Sequence, residues 1–294
     1  MTSAPQPPSS APSFSAEDIQ VATDLLMQPL DGEVKEIVTL TDEELMALDG
    51  FQDDPLTPTP WVAESAPGEE SRALVTAAAM RSMIARGIVT SAVVNDPRRD
   101  DAAGEEQASM VAVPELQGTA VLRRTSDAVM IAERRTERGT AYGYFYLFHM
   151  DGEVRVLWEV FDATGFHLFF LMDGAALPEQ FIAFIDPAEG IGETDEEPVE
   201  VPASEFGSSP TAARLAESRA MTTILVLERE GAQEPTAFTL FSGGSRVALM
   251  EEAGEGEDAV RRVGTVSRST LEALLQDVVA ATAPEGSGTE DPQE

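Results

Sequence analysis

The sequence contains no cysteine, which removes disulfides, thiolate nucleophiles and thiolate metal sites together. It has two histidines, His149 and His167, so imidazole chemistry and histidine metal ligation have almost nothing to draw on. Lysine occurs once, at Lys35, and 19 basic side chains face 53 acidic ones for a formal charge of -34 at pH 7. Such a charge opposes binding to nucleic-acid phosphates or anionic lipid, which depends on clustered Lys and Arg. No apolar run approaches the ~18 residues of a membrane-spanning helix, and residues 1–13 lack the positive end and apolar core of a secretory signal. No GxSxG elbow, phosphate loop, GxGxxG or HExxH occurs. The expectation is a soluble cytoplasmic protein that is not an enzyme, with no cofactor, no metal, no nucleic acid and no membrane insertion.

What is present is enough to build a core. Of 294 residues, 43% are apolar, and the length suits one large domain or two small ones. Residues 1–14 are Pro/Ser-rich and 283–294 are acidic with Gly and Pro; neither can bury enough apolar surface to offset its ordering entropy, so both are expected to be disordered. Residues 15–125 read as a helical region leading into a first sheet. Ser15 can cap a helix carrying Ile19, Leu25 and Leu26, Thr41-Asp42-Glu43-Glu44 is a capping box, and helical spacing runs from Glu69 to a stop at Gly87. An Arg/Asp-rich loop is expected over residues 96–106.

Residues 126–188 read as strands and then a helix. Segments starting at Ala128, Tyr142, Glu153 and Gly165 are rich in β-branched and aromatic residues, Asp151-Gly152 is a hairpin signal, and Pro178 suits the first turn of a helix through Phe181 and Ile185. After an acidic loop at 189–207, residues 208–282 follow the same order. A short helix opens at Ser209-Pro210, four strands follow, and Ser269-Thr270-Leu271-Glu272 is read as the capping box of a last helix. VMIAERR from Val129 is similar to ILVLERE from Ile224, MDGEVRVLWE from Met150 to SGGSRVALME from Ser242, and LPEQFIAFI from Leu177 to LEALLQDVV from Leu271. The offsets are roughly 95, 92 and 94, and a near-constant offset is the mark of an internal duplication. The expected fold is α+β, with two pseudo-repeated antiparallel β-meander-plus-helix units and a helical N-terminal region.

This order resembles the EspG family, cytosolic chaperones of type VII secretion. The likeness is carried by RSMIARGIV (Arg81 to Val89), MVAVPELQGTAVLRR (Met110 to Arg124) and the two meander-plus-helix units, the second closing with Leu271 to Ala280, and it covers roughly Trp61 to Thr282. The resemblance implies two pseudo-symmetric halves, no catalytic centre, and a protein partner in the form of a secreted helical hairpin that is kept soluble and delivered to the secretion machinery. It carries over no binding residue. The alternative is a self-associating regulatory or structural scaffold.

Among individual residues, Arg123, Arg124, Arg134, Arg135 and Arg138 invert the local charge and form the candidate partner-binding group. Placed on adjacent strands, some would share a face and could receive an acidic partner segment or pair with the protein's own acids. His167 lies in GFHLFFLM, apolar on both faces, and is expected to be a hydrogen-bonded core histidine rather than the catalyst of a hydrolase. His149 is expected to be a hairpin residue, Trp158 a core residue, and Trp61 either a plug at a helix–sheet junction or an exposed anchor. A winged-helix reading of the helix ending at Arg86, with Arg98 and Arg99 on the wing, would mean DNA binding, and the charge argues against it.

Overall fold

A computed structural model describes residues 14–49, 56–91, 110–150, 152–228, 235–254 and 259–283. The leader up to Ser13, the tail from residue 284, Asp151, the loop carrying Arg98 and Arg99, and residues 255–258 lie outside the described residues. Ser15 caps α1 (Ala16–Leu26) reciprocally: its hydroxyl accepts from the Asp18 amide, and the Asp18 carboxylate accepts from the Ser15 amide. Strand β1 (Lys35–Thr41) passes directly into α2 (Asp42–Asp49), and Thr41 and Glu44 make the expected capping box. Residues 56–59 lead into the short α3 (Pro60–Ser65), which is followed by α4 (Glu69–Ala85). Beyond a two-stranded ribbon of β2 (Val89–Ser91) and β3 (Met110–Ala112) comes α5 (Pro114–Thr125).

The first meander is β4 (Ala128–Thr136), β5 (Gly139–Met150), β6 (Glu153–Asp162) and β7 (Phe166–Asp173), followed by α6 (Leu177–Ile185). After β8 (Val199–Pro202) and α7 (Pro210–Leu215), β9 (Ala220–Glu228), β10 (Thr236–Gly243), β11 (Arg246–Ala253) and β12 (Val260–Val266) form the second, followed by α8 (Arg268–Ala281). All ten strands from the two meanders, β1 and β8 join in one antiparallel sheet, in the order β1-β7-β6-β5-β4-β9-β10-β11-β12-β8. The halves meet where β4 pairs with β9, from Ala128↔Glu228 to Thr136↔Ala220. From that seam each meander steps outward to an edge strand that precedes it in the chain.

Period-two alternation sends apolar side chains to both faces. On one face α6 and α8 cover the seam, enclosing Phe145, Phe181, Ile185, Leu240 and Leu275. On the other face of the first half, the N-terminal helices enclose Leu40, Met83, Leu116, Leu157, Phe169 and Leu171. A smaller core under α7 holds Phe206, Leu215, Ala248 and Val263. Each large side chain buried this way contributes about 1.5–3 kcal/mol. Among the described residues no helix is long and apolar enough to cross a membrane.

The structure departs from the sequence reading in four places. β1 was expected to be part of the helical region, and β8 lies inside the expected acidic loop. Arg123 and Arg124 lie on a helix, α5, and not on a strand. The last helix is capped by Ser267, whose hydroxyl accepts from the Thr270 amide; Ser269 lies inside the helix.

The turn between β6 and β7 ties this architecture to the N-terminal layer. Gly165 has φ +71°, its carbonyl accepts from the Asp42 amide, and a Cβ placed there would stand 2.6 Å from the Trp61 Cβ and 3.0 Å from the Asp42 Cγ. The Cβ of half-buried Trp61 therefore lies close against this turn. Gly165→Ala combines an unfavourable φ with overpacking and is expected to cost about 2–4 kcal/mol in urea unfolding. A loss within experimental error would show that the turn yields freely.

Candidate functional site

The chemistry-bearing side chains of the first half converge on His167, which is fully buried. β7 directs its ring to the face under the N-terminal helices. There Nδ1 donates to Glu159 Oε1 at 2.7 Å and Nε2 to Asp42 Oδ1 at 2.8 Å, and the ring stacks on Phe161 at 4.0 Å. Donation from both nitrogens to carboxylates requires the doubly protonated, charged ring. Asp42, the first residue of α2, also accepts from the Val62 amide at 3.0 Å. The other Glu159 oxygen accepts from Arg123 Nε at 3.1 Å and from the Tyr146 hydroxyl at 2.8 Å, while Thr57 donates to the oxygen that faces His167. Arg123 continues to Asp49 Oδ2 at 3.1 Å, and Arg124 holds the second Asp49 oxygen at 2.8 Å. Three carboxylates thus balance three cations, and one connected network joins α2, α5, β5, β6 and β7.

Burial sets the electrostatics. Desolvation opposes the charged form of Glu159, but Arg123, His167 and Tyr146 outweigh it and hold the carboxyl down at about 2. Desolvation likewise disfavours the charged His167 ring, and donation to Asp42 and Glu159 reverses this, raising it above its ordinary value. The Tyr146 hydroxyl is pushed well up by burial and by the neighbouring Glu159. The Asp–His–Glu grouping carries no nucleophile and has no approach from solvent: Asp42, Glu159 and His167 are all 0% exposed. A nearby cavity of about 10 Å³, beside Arg123 and Asp49, is at the limit for one water. Among the described residues no group of three His, Asp or Glu side chains is placed to hold a metal ion. The arrangement clamps helices to sheet.

The five sequence-selected arginines do not share a face. Arg123 is spent inside the network and Arg124 on Asp49. Arg134 lies over the Phe184 ring and donates to its carbonyl at 2.9 Å, whereas Arg135, on the opposite side of β4 by alternation, pairs with Glu133 at 2.7 Å. Arg138 is exposed in the β4–β5 turn. Sequence reasoning missed Glu159, Asp49, Tyr146 and Thr57, and it took Asp42 only as part of a helix cap. One signal was available for Glu159: it stands between Leu157 and Phe161 at alternate, inward positions of β6.

An accessible concavity lies away from this network, at the end of the sheet where β5 turns into β6. A groove of about 710 Å³ runs between the second half of α8 and the start of α6. Val154, Leu177, Leu275 and Val279 give it an apolar floor, with Glu153, Arg155, Asp173 and Gln276 at the rim. His149 closes one end, its Nε2 donating to the Val279 carbonyl at 3.1 Å. Ala175 and Ala280 line the groove with exposed side chains. Comparison of the chain with protein-family models and with curated proteins finds no match.

The network makes stability depend on pH in a defined way. A raised His167 contributes fully below its unfolded value of 6.5 and loses that contribution as pH climbs through the folded value. A depressed Glu159 contributes fully above 4.5 and loses its contribution as pH falls toward about 2. Both are whole between pH 4.5 and 6.5. His167→Gln leaves buried carboxylates uncompensated, so it is expected to cost about 3–5 kcal/mol in that window and progressively less at alkaline pH. Urea midpoints of both proteins across pH check this; a difference that grows with pH would refute the charged-histidine assignment.

Proposed function

We propose that the protein is a non-catalytic cytosolic protein-binding module that resembles a type VII secretion chaperone and keeps a helical secreted partner soluble. The observation that carries this reading is the groove between α6 and α8. It follows the flank of α8 from Leu275 to Ala280, more than one helical turn, and combines an apolar floor with a polar rim. That composition suits an amphipathic helix presenting side chains at i, i+3, i+4 and i+7. The reading includes descent of the two halves from one duplicated unit, supported by the matching order of strands and helix on either side of the seam.

A second reading, a self-associating scaffold, has one observation in its favour. Phe166 is 52% exposed, and Leu168 and Phe170 follow it, partly exposed, on the same face of β7, one strand in from the sheet edge. Apolar side chains grouped at an edge are a usual site of association.

Two measurements separate these readings. Co-expressed with secreted helical-hairpin proteins, the wild type is expected to retain one on purification, and Ala175→Glu with Ala280→Glu, which places charge in the groove at exposed positions, is expected to lose it at an unchanged melting temperature. Retention by that variant, or no retained hairpin at all, removes the chaperone reading. Light scattering of the isolated protein is expected to give a monomer mass; a discrete oligomer abolished by Phe166→Glu would establish the scaffold instead.

A further inference from the structure

We propose that the opposite end of the sheet, at the β4–β5 turn, the entry to β9 and the β10–β11 turn, is a docking site for an acidic segment of a partner protein. Two adjoining hollows of about 930 and 320 Å³ lie there and share Glu217, Ser218 and Arg219. Arg134, Arg138 and Arg219 line the first; Arg214, Arg219 and Arg246 line the second. Sequence adjacency conceals this group, because three separate segments bring it together.

Its distinguishing feature is the lack of internal counterions. Elsewhere among the described residues the arginines are mostly committed: Arg86, Arg123, Arg124, Arg135, Arg155, Arg261, Arg262 and Arg268 all sit on carboxylates. Seven described arginines form no such pair, and five of them are the ones at this end. In a chain with 53 acids against 19 bases, that concentration runs against composition. Three acids, Glu137, Asp162 and Glu217, line the hollows without pairing to these arginines, and Asp162 accepts instead from Thr164. Arg134 is positioned by its stacking on Phe184, and its Nε is buried without a partner.

The dimensions favour a peptide. The row crosses β4, β9, β10 and β11, three strand spacings or about 14 Å. That exceeds one carboxylate or phosphate and equals four to five residues of extended chain, at about 3.3 Å each. Arginine forks suit carboxylates presented in series along such a segment. This site stands at the far end of β5 from the groove and does not rest on the helical-partner reading.

The test uses fluorescein-labelled hexaglutamate and the full-length protein at about 0.15 M ionic strength, where a Debye length of about 8 Å screens the net negative charge. Anisotropy is expected to report saturable binding of hexaglutamate and none of hexaglutamine. Arg219→Ala with Arg246→Ala is expected to weaken it about tenfold or more, since each charge-assisted pair is worth that order. Arg138→Ala with Arg214→Ala, both at exposed positions, is a second variant expected to act the same way, and Arg81→Ala on α4 should change nothing. The inference is overturned by absence of binding, by undiminished binding in folded double variants, or by inorganic phosphate displacing the peptide at equimolar concentration, which would mark a small-anion site.

Discussion

The charged ring of His167, held between Asp42 and Glu159, is the interaction on which the first half depends. The β1–β7 pairing places Leu40 opposite His167, and β1 then turns into α2 so that Asp42 reaches the far side of the same ring. Glu159 in turn engages Arg123 from α5 and Tyr146 from β5. Apolar contacts are non-directional and specify the docking of the helical layer on the sheet less sharply than hydrogen bonds do. Hydrogen bonds of 2.7–3.1 Å are directional, and a largely buried network of six charges penalises any partial arrangement. Such a network adds little net stability over a well-packed apolar one, but it specifies a single docking of helices on strands.

Much of this was legible in the sequence where local rules suffice. The eight meander strands alternate and are divided by turn residues, and α1, α2, α7 and α8 begin at Ser or Thr caps, while α4 stops at Gly87. The elements that escaped notice are those whose pattern is overridden by position. β1 and β8 are sheet edges, short or carrying charge, and look like loop or helix flank until a partner strand is known. The Ser269 cap was misplaced by two residues because Ser267 and Ser269 offer the same chemistry, and the backbone bend decides between them.

The site divides along the same line. That His167 is buried follows from a strand apolar on both faces. Its partners do not follow, since Asp42 lies 125 residues away and Arg123 meets Glu159 across 36. Neighbouring arginines invited a reading as one surface, yet alternation sends Arg134 and Arg135 to opposite faces, and α5 turns Arg123 inward. The arginines that do share a surface come from separate turns at one end of the sheet, an arrangement that only its register creates.

Two surfaces of different character therefore stand at opposite ends of β5, twelve residues long and about 40 Å from end to end. The apolar groove beside His149 lies at one end and the arginine row beside Gly139 at the other. A straight helix spanning both would need about 27 residues at 1.5 Å each. On the proposed readings of both ends, a shorter partner would occupy only one surface, and one that filled the groove would not by itself neutralise the arginines. A long hairpin with an apolar stripe at one end and an acidic segment at the other would engage both, and the linkage would raise its affinity above that for either surface alone. On those readings, the separation of the two surfaces along β5 would set a minimum length for a partner that engages both, on top of the chemical preference proposed for each end.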